Sequence, residues 1–427
     1  MSLLQAMLNA FRLPDLRRKL IFTFVMLVIF RFLAHVPIPG VNLQQLQQLF
    51  QNSQLLGLLD LFSGGALRNL SIAAMGVYPY ITATIIMQLL TPVIPQLQEM
   101  QKEGDAGRRR VNQITHWLMV PLAALQGYTA LVLLQSQGIV SNVELVGPNM
   151  LATWAGIISM VAGTVVLVWI GELITENGIG NGVSIIIFGG IVANLPQMLG
   201  QSLVGGDFLA LIMFGLVGLV TVAAIVVVQE AQRRIPVQYA KRIRGNRMYG
   251  GQSTHIPLRV NSAGMIPIIF AMSIMLLPAM ITRFFVNSDI SWVANAANWL
   301  NLALGVDSPL YWFLYFWLVV GFTFFYTMVI FQQQNLAENL QRYGGFIPGI
   351  RPGRPTTEYL NKVLYRITWL GALFLGVVAV LPFLVKGVNA SLVVSSTGLL
   401  IVVGVVLDTM KQLEAQLMMR HYEGFIK

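Results

Sequence analysis

Apolar residues run in long blocks along this chain, and the polar residues between them come in short charged clusters. Blocks near 20–36, 71–93, 114–135, 151–171, 183–200, 209–228, 264–283, 311–331, 364–384 and 391–408 are each close to the ~20 residues that carry an α-helix across a bilayer's hydrocarbon core. Blocks this long and this poor in charge have no stable place in water. The pattern predicts an all-α polytopic membrane protein of ten spans. An even count puts both termini on one side.

Composition sharpens this picture. Hydrophobic residues make up 56% of the 427 positions and charged residues 10%, against about 25% charged in an ordinary soluble domain. The net charge of +10 would suggest nucleic acid in a soluble protein; here the basic residues sit between spans, where they report orientation. Twenty-three of the 27 Lys and Arg fall on the side that holds both termini. The other side carries Arg68, Arg283 and Lys386, and Arg31 lies within the first span. One miscounted span would flip every later loop, so this asymmetry predicts cytoplasmic termini. Met1–Lys19 is polar and amphipathic, and no small-residue cleavage site follows the first apolar block, so that block is expected to be an uncleaved span. There is no cysteine, which excludes disulfides and thiolate chemistry.

Ten spans divide into two sets of five, expected as an N-terminal half, 1–200, and a C-terminal half, 201–427. Five is odd, so the halves would enter the membrane in opposite senses. Interruptions fall at matching places: Pro79 in span two against Pro267 and Pro278 in span seven, and Gly189-Gly190 with Pro196 in span five against Ser395, Ser396, Gly398 and Gly404 in span ten. These four spans are the candidates to line a central path. Their central stretches lack Asp, Glu, Lys, Arg and His, and Asp408 falls at the cytoplasmic end of span ten. Ion-coupled transporters keep ionisable groups at membrane depth, so this poverty argues against a small-solute transporter. Branched apolar residues stand there instead, and a ring of them could close a pore by dewetting. Packing against lipid or a neighbouring helix explains any one of them equally well.

Three other regions carry candidate function. The stretch 57–69 is apolar, broken by Gly64-Gly65 and too short to cross, which suits either a re-entrant stopper or an interfacial helix. The 6–7 loop (229–262) and the 8–9 loop (332–361) are long and basic, as expected of docking surfaces for a large cytoplasmic partner and for anionic lipid. Catalytic motifs are missing: His35, His116, His255 and His421 are scattered, Gly178–Gly182 reads as a tight turn, and Glu172 with Glu176 forms the single carboxylate pair suggestive of a membrane-embedded glycosyltransferase. No cofactor or metal is expected.

The residues also match a known pattern. Pro37-Ile38-Pro39-Gly40, Phe62-Ser63-Gly64-Gly65-Ala66-Leu67, Pro79-Tyr80-Ile81, Gln88-Leu89-Leu90-Thr91, Glu103-Gly104, Gly178–Gly182, Tyr239-Ala240-Lys241-Arg242, Gln252–Leu258, Pro348–Gly353 and Leu417-Met418-Met419 occur in order and at matching spacing. From first span to tail the chain resembles the SecY family, the channel subunit of the bacterial Sec translocon. The resemblance implies a clamshell of two five-helix halves with no hydrolase activity. It implies a pore ring at Val77, Ile81, Ile187, Ile269 and Ile401, where Val77 replaces a common isoleucine. It implies a plug over Phe62, Ser63, Gly64, Gly65, Ala66, Leu67, Arg68 and Asn69, and a lateral gate of spans two and three against seven and eight. Docking for the ribosome or the SecA motor is implied at Lys241, Arg242, Arg244, Arg247, Arg351 and Arg354, with Asn246 standing where an arginine is often found. Implied partners are SecE, SecG, SecA, the ribosome, signal sequences and nascent polypeptides, and the implied location is the cell membrane.

Overall fold

The structure, a computed structural model, describes residues 13–38, 46, 60, 63–136, 138–140, 143–204, 208–239, 242–244, 247–249, 253–285, 290–305, 308–334, 336–385 and 390–423. Phe62, Lys241, Asn246 and most of 39–59 lie outside the described residues.

Helices occupy every predicted apolar block. They are α1 (Pro14–Leu33), α2 (Tyr78–Leu90), α4 (Asp105–Ser136), α5 (Met150–Asn177), α6 (Gly182–Val204), α7 (Phe208–Glu230), α8 (Ile266–Phe285), α10 (Pro309–Gln334), α12 (Arg354–Val385) and α13 (Ala390–Glu423). Two short helices, α3 (Pro95–Lys102) and α9 (Ser291–Ala303), follow α2 and α8, and α11 (Leu336–Arg342) follows α10. By length and composition, four described helices are apolar enough to cross a membrane, and a fifth span is possible where α2 and α3 meet at a 104° bend. Further apolar helical stretches at Gly182–Asn194, Gly218–Glu230 and Ile266–Met275 are shorter.

Span two departs from the expectation. Residues 72–77 form turns, and the helix begins only at Tyr78. Pro79 sits in its first turn, where the missing N–H would have no intrahelical partner anyway, so it starts the helix rather than kinking it. Pro267 likewise is the second residue of α8, whereas Pro278 lies inside that helix. The resulting 13-residue α2 is only ~20 Å long. The glycine pair in span five also behaves differently from the expected break: α6 runs uninterrupted, and Gly189 and Gly190 make room for neighbours.

The predicted turn at Gly178–Gly182 is present. Gly180 takes φ +83°, and the turn seats against α1, where Thr23 Oγ1 accepts the Ile179 N–H at 3.3 Å. Small residues allow close crossings here, as helices in lipid require. A Cβ on Gly182 would strike the Gly171 carbonyl, and one on Gly163 the Ile72 carbonyl. Within the halves α2 packs on α4, α4 on α5, α8 on α10 and α10 on α12. Between them α2 meets α8, and α6 meets α7 and α13.

The 6–7 loop holds β1 (Gln232–Tyr239), β2 (Arg242–Arg244), β3 (Arg247–Tyr249) and β4 (Ser253–Arg259), and the 8–9 loop adds β5 (Gly345–Phe346). Strand β1 pairs antiparallel with β4 from Gln232↔Arg259 to Gln238↔Ser253, and with β5 through Gln238↔Phe346 and Tyr239↔Gly345. The two loops therefore share one sheet, in the order β4-β1-β5. Its inward residues Ile235, Val237 and Leu258 form a core with Leu340, Ile347 and Leu360.

Candidate functional site

The five residues assigned to a ring come from four helices and meet in one buried apolar cluster. Val77 caps the N-terminus of α2, and Ile81 lies one turn into it. Ile187 comes from α6, Ile269 from α8 and Ile401 from α13. Val77, Ile81, Ile187 and Ile401 are buried members of the cluster, and the half-buried Ile269 packs against it. Ile191, one turn beyond Ile187, and Met265 are buried in the same cluster. The sequence reading missed both. The i, i+4 spacing of two isoleucines on span five was the available signal for Ile191.

The two second spans enter this cluster in the same way. Gly76 at φ +56° and Gly264 at φ +65° each stand three residues before a first-turn proline. The N–H of Ile81 then donates to the Val77 carbonyl at 3.1 Å, and that of Ile269 to the Met265 carbonyl at 3.4 Å. Val77 thus corresponds to Met265, and Ile81 to Ile269. Met265 fits because Gly404 of α13 leaves space for its sulfur.

The plug candidate lies against the same cluster. Ala66 is fully buried in it. Gly64, at φ +66°, touches α6 so closely that a Cβ on Gly190 would strike its Cα, and a Cβ on Gly64 would meet Phe30 Cζ at 2.7 Å. Arg31, the charge inside the first span, donates from its guanidinium to the Gly64 carbonyl at 2.8 Å. Within the segment, Asp60 and Arg68 form an ion pair at 2.7 Å, and the Leu67 N–H donates to Ser63 Oγ at 3.0 Å. Asp60 is 2% exposed. Burial pushes its carboxyl up, and Arg68 with the Ser63 hydroxyl and the Arg68 and Leu67 N–H groups pulls it partly back. Asn69 donates to the Ala34 carbonyl at 3.3 Å. Leu67 packs into a second apolar cluster with Leu70 and Leu131.

Polar bonds cross between the halves where a lateral gate is expected. Tyr78 of α2 donates its hydroxyl to the Ser273 carbonyl of α8 at 3.2 Å. Gln126 of α4 lies 3.5 Å from the Thr82 hydroxyl, and Gln88 bonds Tyr326 of α10. In the low dielectric of a membrane such bonds replace ones that water would otherwise supply. Single polar residues within apolar blocks were the signal for this set, which the sequence reading left unused.

The docking candidates separate into two groups. Arg242 and Arg244 on β2 and Arg247 on β3 form a hairpin with Arg244 opposite Arg247. Arg351 is exposed just before α12, and Arg354, at its start, lies 3.5 Å from Glu358. Sequence periodicity did not reveal the sheet that joins the two loops. Glu172, half of the suspected carboxylate pair, is instead engaged by α4: it accepts from Asn112 at 3.1 Å and stands 3.1 Å from His116 Nε2.

The family model for SecY matches residues 71–410. The chain belongs to the SecY family. Relatives agree along their whole length: the protein translocase subunit SecY of Streptomyces coelicolor is 47% identical, with all of both chains covered. That of Thermotoga maritima is 43% identical over 99% of this chain and 98% of its own. The fold also matches a solved structure described as a protein conducting channel, with TM-score 0.61 at 16% identity, covering 93% of this chain and 92% of that one. A second match is Sec61 in the canine ribosome-channel complex, with TM-score 0.59 at 15% identity and the same coverage. SecY is a multi-pass membrane protein and a channel subunit of the translocase, so the family carries no catalytic centre of its own.

Proposed function

We propose that this chain is the pore-forming subunit of a protein-conducting channel that passes unfolded secretory polypeptides across the cell membrane. Transmembrane segments leave it sideways, between α2 and α4 on one side and α8 and α10 on the other. The observation that carries this reading is the convergence of Val77, Ile81, Ile187, Ile269 and Ile401 from four helices on one buried apolar cluster, with Ala66 of the plug seated in it. A path for chains of every sequence cannot use charged binding sites, since tight binding would stall transit. A greasy constriction grips no particular residue, blocks ions by dewetting and closes again when empty.

The residues around the constriction divide the work. Residues 63–69 close the path from one side, held by Arg31 and Gly190. The hydrogen bonds of Tyr78, Thr82 and Gln88 hold the gate shut, and an apolar signal sequence that prefers lipid separates them. Both termini and the three-stranded sheet face the cytoplasm, where Arg242, Arg244, Arg247, Arg351 and Arg354 dock the ribosome or the SecA motor that supplies the driving force. SecE and SecG complete the complex. The ten helices form two inverted halves, 1–200 and 201–427, a division supported by the matched glycine and proline entries of α2 and α8.

The test is photocrosslinking of a stalled, signal-bearing nascent chain in reconstituted membranes. Probes at Ile81, Ile187, Ile269 and Ile401 are expected to label the chain, and probes at the exposed Leu370 and Leu373 of α12 are not. Equal labelling at both sets would overturn the pore assignment.

A further inference from the structure

A cavity of about 490 Å³ opens on the outer surface between α10 and α12. Phe324, Met328 and Phe331 form its apolar wall, and Lys362, Tyr365 and Arg366 of α12 line its other side. Lys362 and Arg366 are one helical turn apart on a common face. They bracket residue 364, where the apolar block of span nine begins. The ring of Phe324 meets Tyr365 at 5.1 Å and Trp369 at 4.9 Å, so an aromatic set stands at the same depth. Aromatic side chains at this depth are typical of the headgroup level.

We infer that this cavity is a binding site for an anionic glycerophospholipid of the cytoplasmic leaflet, its phosphate held by Lys362 and Arg366 and an acyl chain lying on Phe324, Met328 and Phe331. The charge and the shape agree. Among the residues lining the cavity there is no carboxylate, and the nearest acid one turn away on α12, Glu358, is paired with Arg354. Neither Lys362 nor Arg366 forms an ion pair among the described residues. A soluble anion would find the two charges but leave the apolar wall unused, whereas a phospholipid matches both. The inference rests on the proposed orientation, which sets the start of α12 at the cytoplasmic surface; lipid retention is read on the purified chain, independently of polypeptide transport.

Native mass spectrometry of the full chain in detergent tests this, with phosphatidylglycerol and phosphatidylcholine as probes. The wild-type chain is expected to retain phosphatidylglycerol about tenfold more tightly than phosphatidylcholine. Lys362→Gln with Arg366→Gln should abolish that preference. Met328→Trp, which fills the cavity and leaves both charges in place, should weaken retention as well. Arg108→Gln with Arg109→Gln removes the same charge from another cytoplasmic segment and should leave the preference intact. Undiminished retention in both cavity variants would overturn the site. Equal loss in the Arg108 and Arg109 control would reduce it to unspecific charge attraction, and full displacement by glycerol phosphate would reassign it to a free phosphate ester.

Discussion

The two halves of the molecule begin their second spans identically and then diverge. In each, a left-handed glycine, Gly76 or Gly264, precedes a proline in the first helical turn by three residues. Each then delivers an isoleucine, Ile81 or Ile269, to the same cluster. Beyond that point α2 ends after 13 residues and bends by 104° into the polar α3. Helix α8 continues for 20 residues and is followed by α9, which exposes Trp292 and Trp299. The shared entry is fixed by the cluster both helices must reach, and the later course by the medium each meets outside it. Even within the cluster the halves are unequal. The first contributes the small Val77 and the second the long Met265, and the plug rests on the first.

This inequality is best tested at two glycines that face different neighbours. Gly190 of the first half faces the backbone of Gly64, which cannot yield, whereas Gly404 faces the flexible side chain of Met265. Gly190→Val should therefore displace the plug at a cost of about 3 kcal/mol, and Gly404→Val should cost about 1 kcal/mol. Because the chain has no cysteine, a single Ala66→Cys can report the difference. Its labelling by a membrane-impermeant maleimide should rise on the first background by at least about a hundredfold and change little on the second.

The next effect is pH-dependent. Arg68→Gln leaves the buried Asp60 carboxylate without its partner, at a cost of about 2 kcal/mol given the partial exposure of Arg68. The Asp60 carboxyl already lies above its ordinary range, so its neutral form is the one the fold favours. Stability is then lost as pH rises through that raised value and regained as pH falls through it. Thermal unfolding of the variant at pH 5 and pH 8 should show the larger deficit at pH 8, and Asp60→Asn on the same background should remove the pH dependence.

Arg31→Gln is expected to be milder. It removes a charge-assisted bond to the Gly64 carbonyl worth about 1.5 kcal/mol. On the Ala66→Cys background, maleimide labelling should become roughly tenfold faster. The smallest change is Thr82→Val, about 0.5 kcal/mol, which loosens the approach of Gln126 to α2. Signal sequences of lower hydrophobicity should then be accepted in a transport assay, with fully apolar signals unaffected.

Much of this was legible in the sequence, for reasons that differ by region. The apolar blocks were readable because a bilayer imposes one length on every helix that crosses it, and the bounds of α5, α6 and α7 fall close to those expected. The isoleucines of spans two, five, seven and ten could be named, but their convergence depends on packing between helices far apart in the chain. Pro79 was misplaced because a proline within an apolar block reads as a kink until the turn before it is seen. The glycine pair of span five was read as a break for a similar reason: its purpose lies in Gly64, more than a hundred residues upstream. Strand β5 has two residues, too few for any alternation to register, and it exists only because β1 offers it an edge.

That pairing has a consequence for inheritance. Gln238 and Tyr239 of one cytoplasmic loop bond to Phe346 and Gly345 of the other, above a core to which both loops contribute. A recombinant that imports one loop from a distant relative would set a foreign strand against a native edge and mismatch the side chains beneath it. The two loops should therefore be exchanged among relatives only as a pair, and partner preference should travel as one heritable module although its two parts are encoded about a hundred residues apart.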